Sequence, residues 1–381
     1  MTDVELHRHL IDRPGSRGDL NTPVLIVELD GLRRNIARMA AFAREKSVKL
    51  RPHAKTHKCP EIAKLQMEAG ALGICCAKIG EAEVLADGGV TRGLHITSPV
   101  VSRPAMERLQ ALNSKTEGLM CVVDHPLNAK ALGEAAARAG KELNVVIDID
   151  PGSKRTGVGS AEEAVALLQV IQDQEFLRYA GVQFYCGMQQ HILTFAERRA
   201  AISDRTAFAK TVIEGLSEAG GVPGVITGGG TGTHRIDAEL GLFTELQVGS
   251  YVFMDSQYSD CELTGDKQDA PFETALMVDA RVVSANTPGM VTLDAGLKAF
   301  STDAEAPRVL NGAKPGAKYA FMGDEHGSLT LASGESLALA DVVTLAAPHC
   351  DPTVNLYDTY HVVQGDTLRA LWPIAARGRS R

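Results

Sequence analysis

The sequence predicts an α/β chain in which a (β/α)8 barrel of the TIM type is joined to a second, mainly β domain. Three observations predict it. From Ser47 to about Gly249, short apolar and β-branched runs alternate with amphipathic stretches, as in βα units repeated around a parallel sheet. Eight strand candidates fall in that stretch, the number that closes a barrel. Beyond about Tyr258 the pattern changes to strands broken by Gly, Pro and Asp.

The eight candidates are Val48–Arg51, Gly73–Ala77, Leu94–Thr97, Leu119–Val123, Leu143–Asp148, Ala180–Tyr185, Gly224–Thr227 and Glu245–Val248. Helical periodicity is clearest at Cys59–Glu68, Ala82–Asp87, Pro104–Leu112, Pro126–Ala139, Ala161–Asp173 and Phe195–Ala219. Pro104 and Pro126 stand near helix starts, where a missing N–H costs nothing. A ninth strand, Val24–Asp30, and the helical stretch Leu32–Lys46 precede the eight, so that strand is expected to pair with the C-terminal part. There the strand candidates are Glu273–Ala285, Met290–Asp294, Tyr319–Phe321, Ser328–Leu331, Asp341–Ala346 and Tyr360–Gln364. The implied division is a barrel over 33–260 and a second domain from 1–32 and 261–381.

The length of 381 residues suits two domains, and 44% hydrophobic residues suffice for a large core. A net charge of −8, with a basic cluster only at Arg377, Arg379 and Arg381, gives no footprint for nucleic acid. Neither a signal-peptide core nor a membrane-length apolar run is visible, which implies a cytoplasmic protein. Seven scattered cysteines without CxxC spacing read as reduced, structural thiols.

In such barrels the reactive groups sit on loops after the strand C-termini. Arg51-Pro52-His53-Ala54-Lys55-Thr56-His57-Lys58 closes the first barrel strand, which places Lys55 at the barrel mouth. Cationic neighbours would disfavour its ammonium form and suit capture of an aldehyde; a solvated basic loop is the plainer reading of such a cluster. Gly228-Gly229-Gly230-Thr231-Gly232-Thr233 offers backbone N–H groups and hydroxyls to an anion, or else a flexible turn. Gly249-Ser250-Tyr251 follows the next strand with a second set of donors. His349-Cys350-Asp351 lies beyond a strand candidate, where residues two apart in extended backbone face one way, so His349 and Asp351 can share an ion. A capped turn before Pro352 is the alternative.

Together with GSKRTG at 152–157, these make five motifs, RPHAKTHK, GSKRTG, GGGTGT, QVGSY and HCDPTVN, which in this order over nearly the whole chain resemble the D-threonine aldolase, D-3-hydroxyaspartate aldolase and D-serine dehydratase family. The resemblance implies an alanine racemase-like fold, PLP fold type III. It further implies that Lys55 is the Schiff-base lysine of pyridoxal 5'-phosphate and that Arg155 meets the phenolic oxygen. Tyr185 is expected to pack near the ring, while Gly230, Thr231, Gly232, Gly249, Ser250 and Tyr251 serve the phosphate. Gln247 falls where the racemase places an arginine near the pyridine nitrogen, and a neutral group there would limit carbanion delocalisation. His191 matches the catalytic histidine, and His349 and Asp351 match the metal pair.

The implied activity is pyridoxal-phosphate- and metal-dependent cleavage of a D-β-hydroxy-α-amino acid to glycine and an aldehyde. A nitrogen plus a carboxylate suits manganese first, then magnesium or cobalt. The dehydratase branch carries cysteine where this chain has Asp351; a shift bringing Cys350 to the ion would instead imply zinc and a 2-oxo acid product. A non-catalytic pyridoxal-phosphate protein is the reading from another class, and the segment beyond Tyr258 opposes it. The resemblance also implies a homodimer acting on a small D-amino acid.

Overall fold

Strand β1 (Val24–Glu28) comes early in the chain but is paired with strands from its last third. In the computed structural model, which describes residues 1–266 and 269–381, the chain then builds a barrel. Its strands are β2 (Lys49–Leu50), β3 (Cys75–Cys76), β4 (His95–Ile96), β5 (Met120–Val123), β6 (Leu143–Ile149), β7 (Leu177–Phe184), β8 (Val225–Gly228) and β9 (Glu245–Leu246). All pair in parallel, in the order β2-β9-β8-β7-β6-β5-β4-β3. A parallel bridge between His53 and Cys75 closes the ring, with Ala54 N–H on the Cys75 carbonyl at 2.8 Å.

All eight strands fall where the alternation places them. Between them lie helices such as Arg103–Lys115, Pro126–Ala139 and Ala161–Gln172. Ser102 and Ser160 cap two of these, accepting the N–H of Ala105 and of Glu163. Leu109, Leu132, Leu167, Leu168 and Ile171 turn inward from these helices and are buried against the sheet.

The second unit comprises Met1–Arg38, Ser250–Asp260 and Ala270–Arg377; the barrel unit is Met39–Gly249, Cys261–Asp269 and Gly378–Arg381. In the second unit lie β10 (Leu276–Thr287), β11 (Met290–Leu293), β12 (Arg308–Asn311), β13 (Lys318–Phe321), β14 (Gly327–Thr330), β15 (Val342–Ala346), β16 (Thr359–Gln364) and β17 (Thr367–Pro373). The main path is β13-β14-β11-β10-β1-β16-β17, with β15 joining β10 and β12. Strand β1 runs antiparallel to β10, Val24 opposite Asp279, and parallel to β16, Ile26 opposite His361. Its residues Val24 to Val27 are buried on both faces, as an interior strand requires. Among the described residues no helix is long and apolar enough to cross a membrane.

A buried histidine pair sits in this sheet. His7 Nε2 accepts the Asn21 N–H at 3.0 Å, so the ring proton is on Nδ1, which donates to His361 Nε2 at 2.8 Å. Asp3 lies close enough for the three to be grouped as metal donors. The tautomer argues otherwise, since the nitrogen of His7 facing His361 carries a hydrogen and not a lone pair. Burial lowers the pKa of His361 from 6.5 to about 3, and burial lowers that of His7 too. Below pH 6.5 the unfolded chain therefore takes up protons that the folded chain refuses. Acidification to pH 5 is expected to cost the second unit about 1.4 kcal/mol per pH unit through His361. Denaturant titrations read by Trp372, which pairs opposite Tyr360, check this: His361→Gln should flatten the acid limb by that slope.

Candidate active site

Lys55 stands in the turn after β2, half-buried, with its backbone N–H on His53 Nδ1 at 3.2 Å. His53 Nε2 donates to Thr97 Oγ1 at 3.1 Å, because that hydroxyl gives its own hydrogen to the Cys76 carbonyl. His53 is thus a neutral ring. The cationic surroundings expected for Lys55 need correction. Arg51 is bound to both oxygens of Glu245 at 2.7 and 2.9 Å, and Lys58 is paired with buried Glu81. His57 Nδ1 accepts the Cys59 N–H at 3.1 Å, also as a neutral ring. Within the motif itself, the positive charges of Arg51 and Lys58 are compensated and those of His53 and His57 are not there.

Lys55 opens into a barrel cavity of about 310 Å³, lined by His53, Thr97, Arg155, Tyr185, Gln183 and Gln247 among others. That volume suits a small cofactor with its substrate. Arg155 is presented by a loop organised around Asp150, whose Oδ1 accepts the N–H groups of Gly152, Ser153 and Lys154 at 3.0, 2.8 and 3.1 Å. Gly157 is left-handed at φ 103°, and a side chain there would meet the Asp150 N at 2.4 Å. Tyr185 directly follows β7, and a Cβ on Gly187 would touch its ring at 3.0 Å.

The glycine loop after β8 is built for a different reason from the one expected. Gly230 N–H goes to Thr233 Oγ1 at 3.2 Å and Gly232 N–H to Gln190 Oε1 at 3.0 Å, so these two donors are engaged internally. A Cβ at Gly230 would come 2.5 Å from Gln190 Oε1, and one at Gly232 would come 2.0 Å from the Gln190 carbonyl. These glycines admit Gln190. Thr231 beside them is buried. Thr233 also donates to Asp237 Oδ2 at 2.5 Å, whose carboxyl burial lifts to about 7.

Gly249 fits the anion reading better. A Cβ there would lie 2.8 Å from Thr56 Oγ1, a buried hydroxyl without a partner of its own. A phosphate oxygen is the kind of acceptor that such an orphaned donor calls for. With an amine, an arginine, an aromatic ring and this hydroxyl around the barrel mouth, the residues fit pyridoxal phosphate. Ser250 and Tyr251, both buried, continue the chain in a short 3-10 turn, and Tyr251 stacks edge-on to Phe272 at 5.7 Å. His191 lies in an exposed turn after Gly187–Gln189 and is not among the residues lining the Lys55 cavity.

In the second unit the metal pair needs a correction of geometry. Cys350–Val354 is a helix, with His349 as its extended N-cap (φ −138°, ψ 121°) and Asp351 in its first turn. Strand alternation does not relate the two; they leave the same helix end. Pro352 explains the helix, since proline is at home in a first turn. His349 Nδ1 meets Asp303 Oδ2 at 2.7 Å, which leaves the imidazole lone pair on Nε2. A neutral imidazole and the Asp351 carboxylate form a hard to borderline donor set that fits a divalent ion. Cys350 is fully buried, its N–H held by Asp255 Oδ2 at 2.9 Å, and burial pushes its thiol up.

Sequence reasoning missed Asp303, Asp148, Gln183 and His95. The last three are buried polar residues within apolar strand ends, as in Val182-Gln183-Phe184 and Ile147-Asp148-Ile149. That interruption is the signal that could have found them. Burial lifts the Asp148 carboxyl to about 6, against hydrogen bonds from Thr156 at 2.7 Å and Gln183 at 2.9 Å.

A barrel with a rim lysine, continued by an antiparallel domain, defines the class of the alanine racemase-type pyridoxal-phosphate enzymes. The family model for the alanine racemase N-terminal domain matches residues 27–257, and a putative serine dehydratase domain matches 275–363. Within this class the chain belongs to the D-threonine aldolase and 3-hydroxy-D-aspartate aldolase family. It is 37% identical over 373 residues to D-threonine aldolase of Arthrobacter sp, covering 97% of each chain. Identity to 3-hydroxy-D-aspartate aldolase of Paracoccus denitrificans is 35% over 370 residues, 96% of this chain and 95% of that one. The crystal structure of D-threonine aldolase from Filomicrobium marinum matches with a TM-score of 0.90 at 37% identity, over 95% of this chain and 97% of that one. The protein is a carbon–carbon lyase of the aldolase type.

Proposed function

We propose that the enzyme cleaves D-β-hydroxy-α-amino acids of the D-threonine or D-3-hydroxyaspartate kind to glycine and an aldehyde, with a divalent metal, manganese first. The gathering of Lys55, Arg155, Tyr185 and Gln247 around one cavity carries the reading. When bound, pyridoxal phosphate supplies the sink for the electron pair released from the Cα–Cβ bond. Lys55 would hold the coenzyme by its amine until the substrate amine takes its place. Arg155 would face the phenolic oxygen, Tyr185 would flank the ring, and Thr56 with Thr231 and the Gly249–Tyr251 segment would hold the phosphate. His349 and Asp351 would hold the ion, which would supply Lewis acidity to the substrate β-hydroxyl.

His191 then takes the β-hydroxyl proton, directly or through water. His53 lines the cavity but is not suited to that task, since Nδ1 accepts the Lys55 N–H and Nε2 donates to Thr97. Cys350, turned into the core, supports the aldolase reading over a zinc-dependent dehydratase. The protein is further proposed to be a cytoplasmic homodimer, which light scattering of the purified enzyme would test.

Glycine release from D-threonine, D-phenylserine and D-3-hydroxyaspartate, with manganese added, tests the activity. Formation of a 2-oxo acid and ammonia in place of glycine would overturn it. Asp303 is the outer partner that fixes the His349 ring. Asp303→Ala is expected to weaken manganese binding by roughly 10- to 100-fold, as read by calorimetry on metal-stripped enzyme.

A further inference from the structure

A chain of buried amides on the barrel floor has one possible polarity. Gln183 Nε2 reaches Asp148 Oδ1 at 2.9 Å and the Thr97 carbonyl at 3.2 Å, and both of those are acceptors. Its NH2 end is therefore assigned, and its Oε1 must accept. That oxygen takes Gln247 Nε2 at 3.1 Å and His95 Nε2 at 3.0 Å. His95 is a neutral donor here, since burial lowers its pKa to about 4. Gln247 Nε2 gives its second hydrogen to Thr227 Oγ1 at 3.0 Å. Turning the Gln247 amide over would set its oxygen against that of Gln183. Both Gln247 hydrogens are thus spoken for, and its carbonyl oxygen is the end left to the cavity that the residue lines.

Most of the neighbouring polar groups have other duties, Lys78 and Ser98 apart. Lys55 offers an amine to the aldehyde, and Arg155 is a cation suited to an anionic oxygen. Thr97 is held by His53 and Cys76, Thr156 by Asp148, and Gln183 by four bonds. We infer that Gln247 meets the coenzyme's ring nitrogen as a hydrogen-bond acceptor, and that Gln183, anchored by Asp148 and the Thr97 carbonyl, is the positioning residue that enforces this. This deepens the reading at Lys55 and rests on it. An acceptor oxygen repels a nitrogen lone pair and binds N–H, so the site favours the protonated pyridine. The amide is neutral, yet in this orientation it strengthens the electron sink.

The test is the nitrogen-15 shift of labelled pyridoxal phosphate in the holoenzyme, followed from pH 6 to 9. The wild-type ring nitrogen should stay protonated well above the pH at which Gln183→Met and Gln247→Leu lose the proton, with midpoints at least about one pH unit lower in both. Gln247→Glu, which keeps an acceptor oxygen, should restore protonation, an outcome that mere loss of packing would not give. Equal midpoints in wild type and variants, or a wild-type nitrogen without a proton throughout, would overturn the inference while the lysine-linked absorbance stays intact. A holoenzyme lacking that absorbance would overturn the Lys55 reading, and this one with it. Should Gln183→Met fail to fold, the Gln247 pair decides.

Discussion

Lys55→Ala is expected to abolish the visible absorbance of lysine-bound pyridoxal phosphate and to lower kcat by on the order of 10^4-fold or more, the scale on which covalent catalysts fail when their nucleophile is lost. The reason is positional. Lys55 is the amine that the turn after β2 presents to the cavity, while the nearby Lys58 is buried in its pair with Glu81 and cannot deputise. Lys55→Arg should fail equally, since a guanidinium keeps the charge but does not condense with an aldehyde at neutral pH. Addition of methylamine to the alanine variant should restore part of the rate. A variant with an undiminished spectrum would end the assignment.

Removing the metal should be as severe on a different axis. Chelation, His349→Ala or Asp351→Ala is expected to reduce glycine release by on the order of 10^3-fold, the loss of a Lewis acid worth several kcal/mol at the reacting oxygen. The coenzyme absorbance should not change, because neither His349 nor Asp351 lines the cavity around Lys55. Manganese should rescue the chelated enzyme but not the variants at low concentration. Full activity after exhaustive chelation would remove the ion from the reaction.

Strand positions were legible because the barrel strands are buried, apolar and punctuated. Two strands of the second unit were not. Arg308–Asn311 is largely exposed, so its residues carry no inward face to reveal it. Thr367–Pro373 pairs with β16 alone, as an edge, and its Arg369 and Pro373 are tolerable only there. The short helix His234–Leu240 was hidden behind the glycine run. At the site, Lys55 was readable from its motif, but the electrical state of its neighbours was not. Glu245 is 194 positions from Arg51, and no local pattern announces that pairing. The roles of Gln183 and Asp148 likewise arise from bonds across adjacent strands, which a linear reading cannot supply. For His349 and Asp351 the residues are identified but the backbone is not, because the segment reads as extended whereas Pro352 helps begin a helix.

The place of Val24–Glu28 sets a timetable for synthesis. Its partners are Leu276–Asp279 and His361–Val363, so this segment leaves the ribosome more than 200 residues before the first of them exists. The barrel's strands all lie between, so the catalytic cradle can mature while its leading β-ribbon waits, apolar and unmatched, for the end of translation. Chains stalled before about residue 360 would then expose that ribbon to chaperones and to one another, making interrupted translation an aggregation hazard.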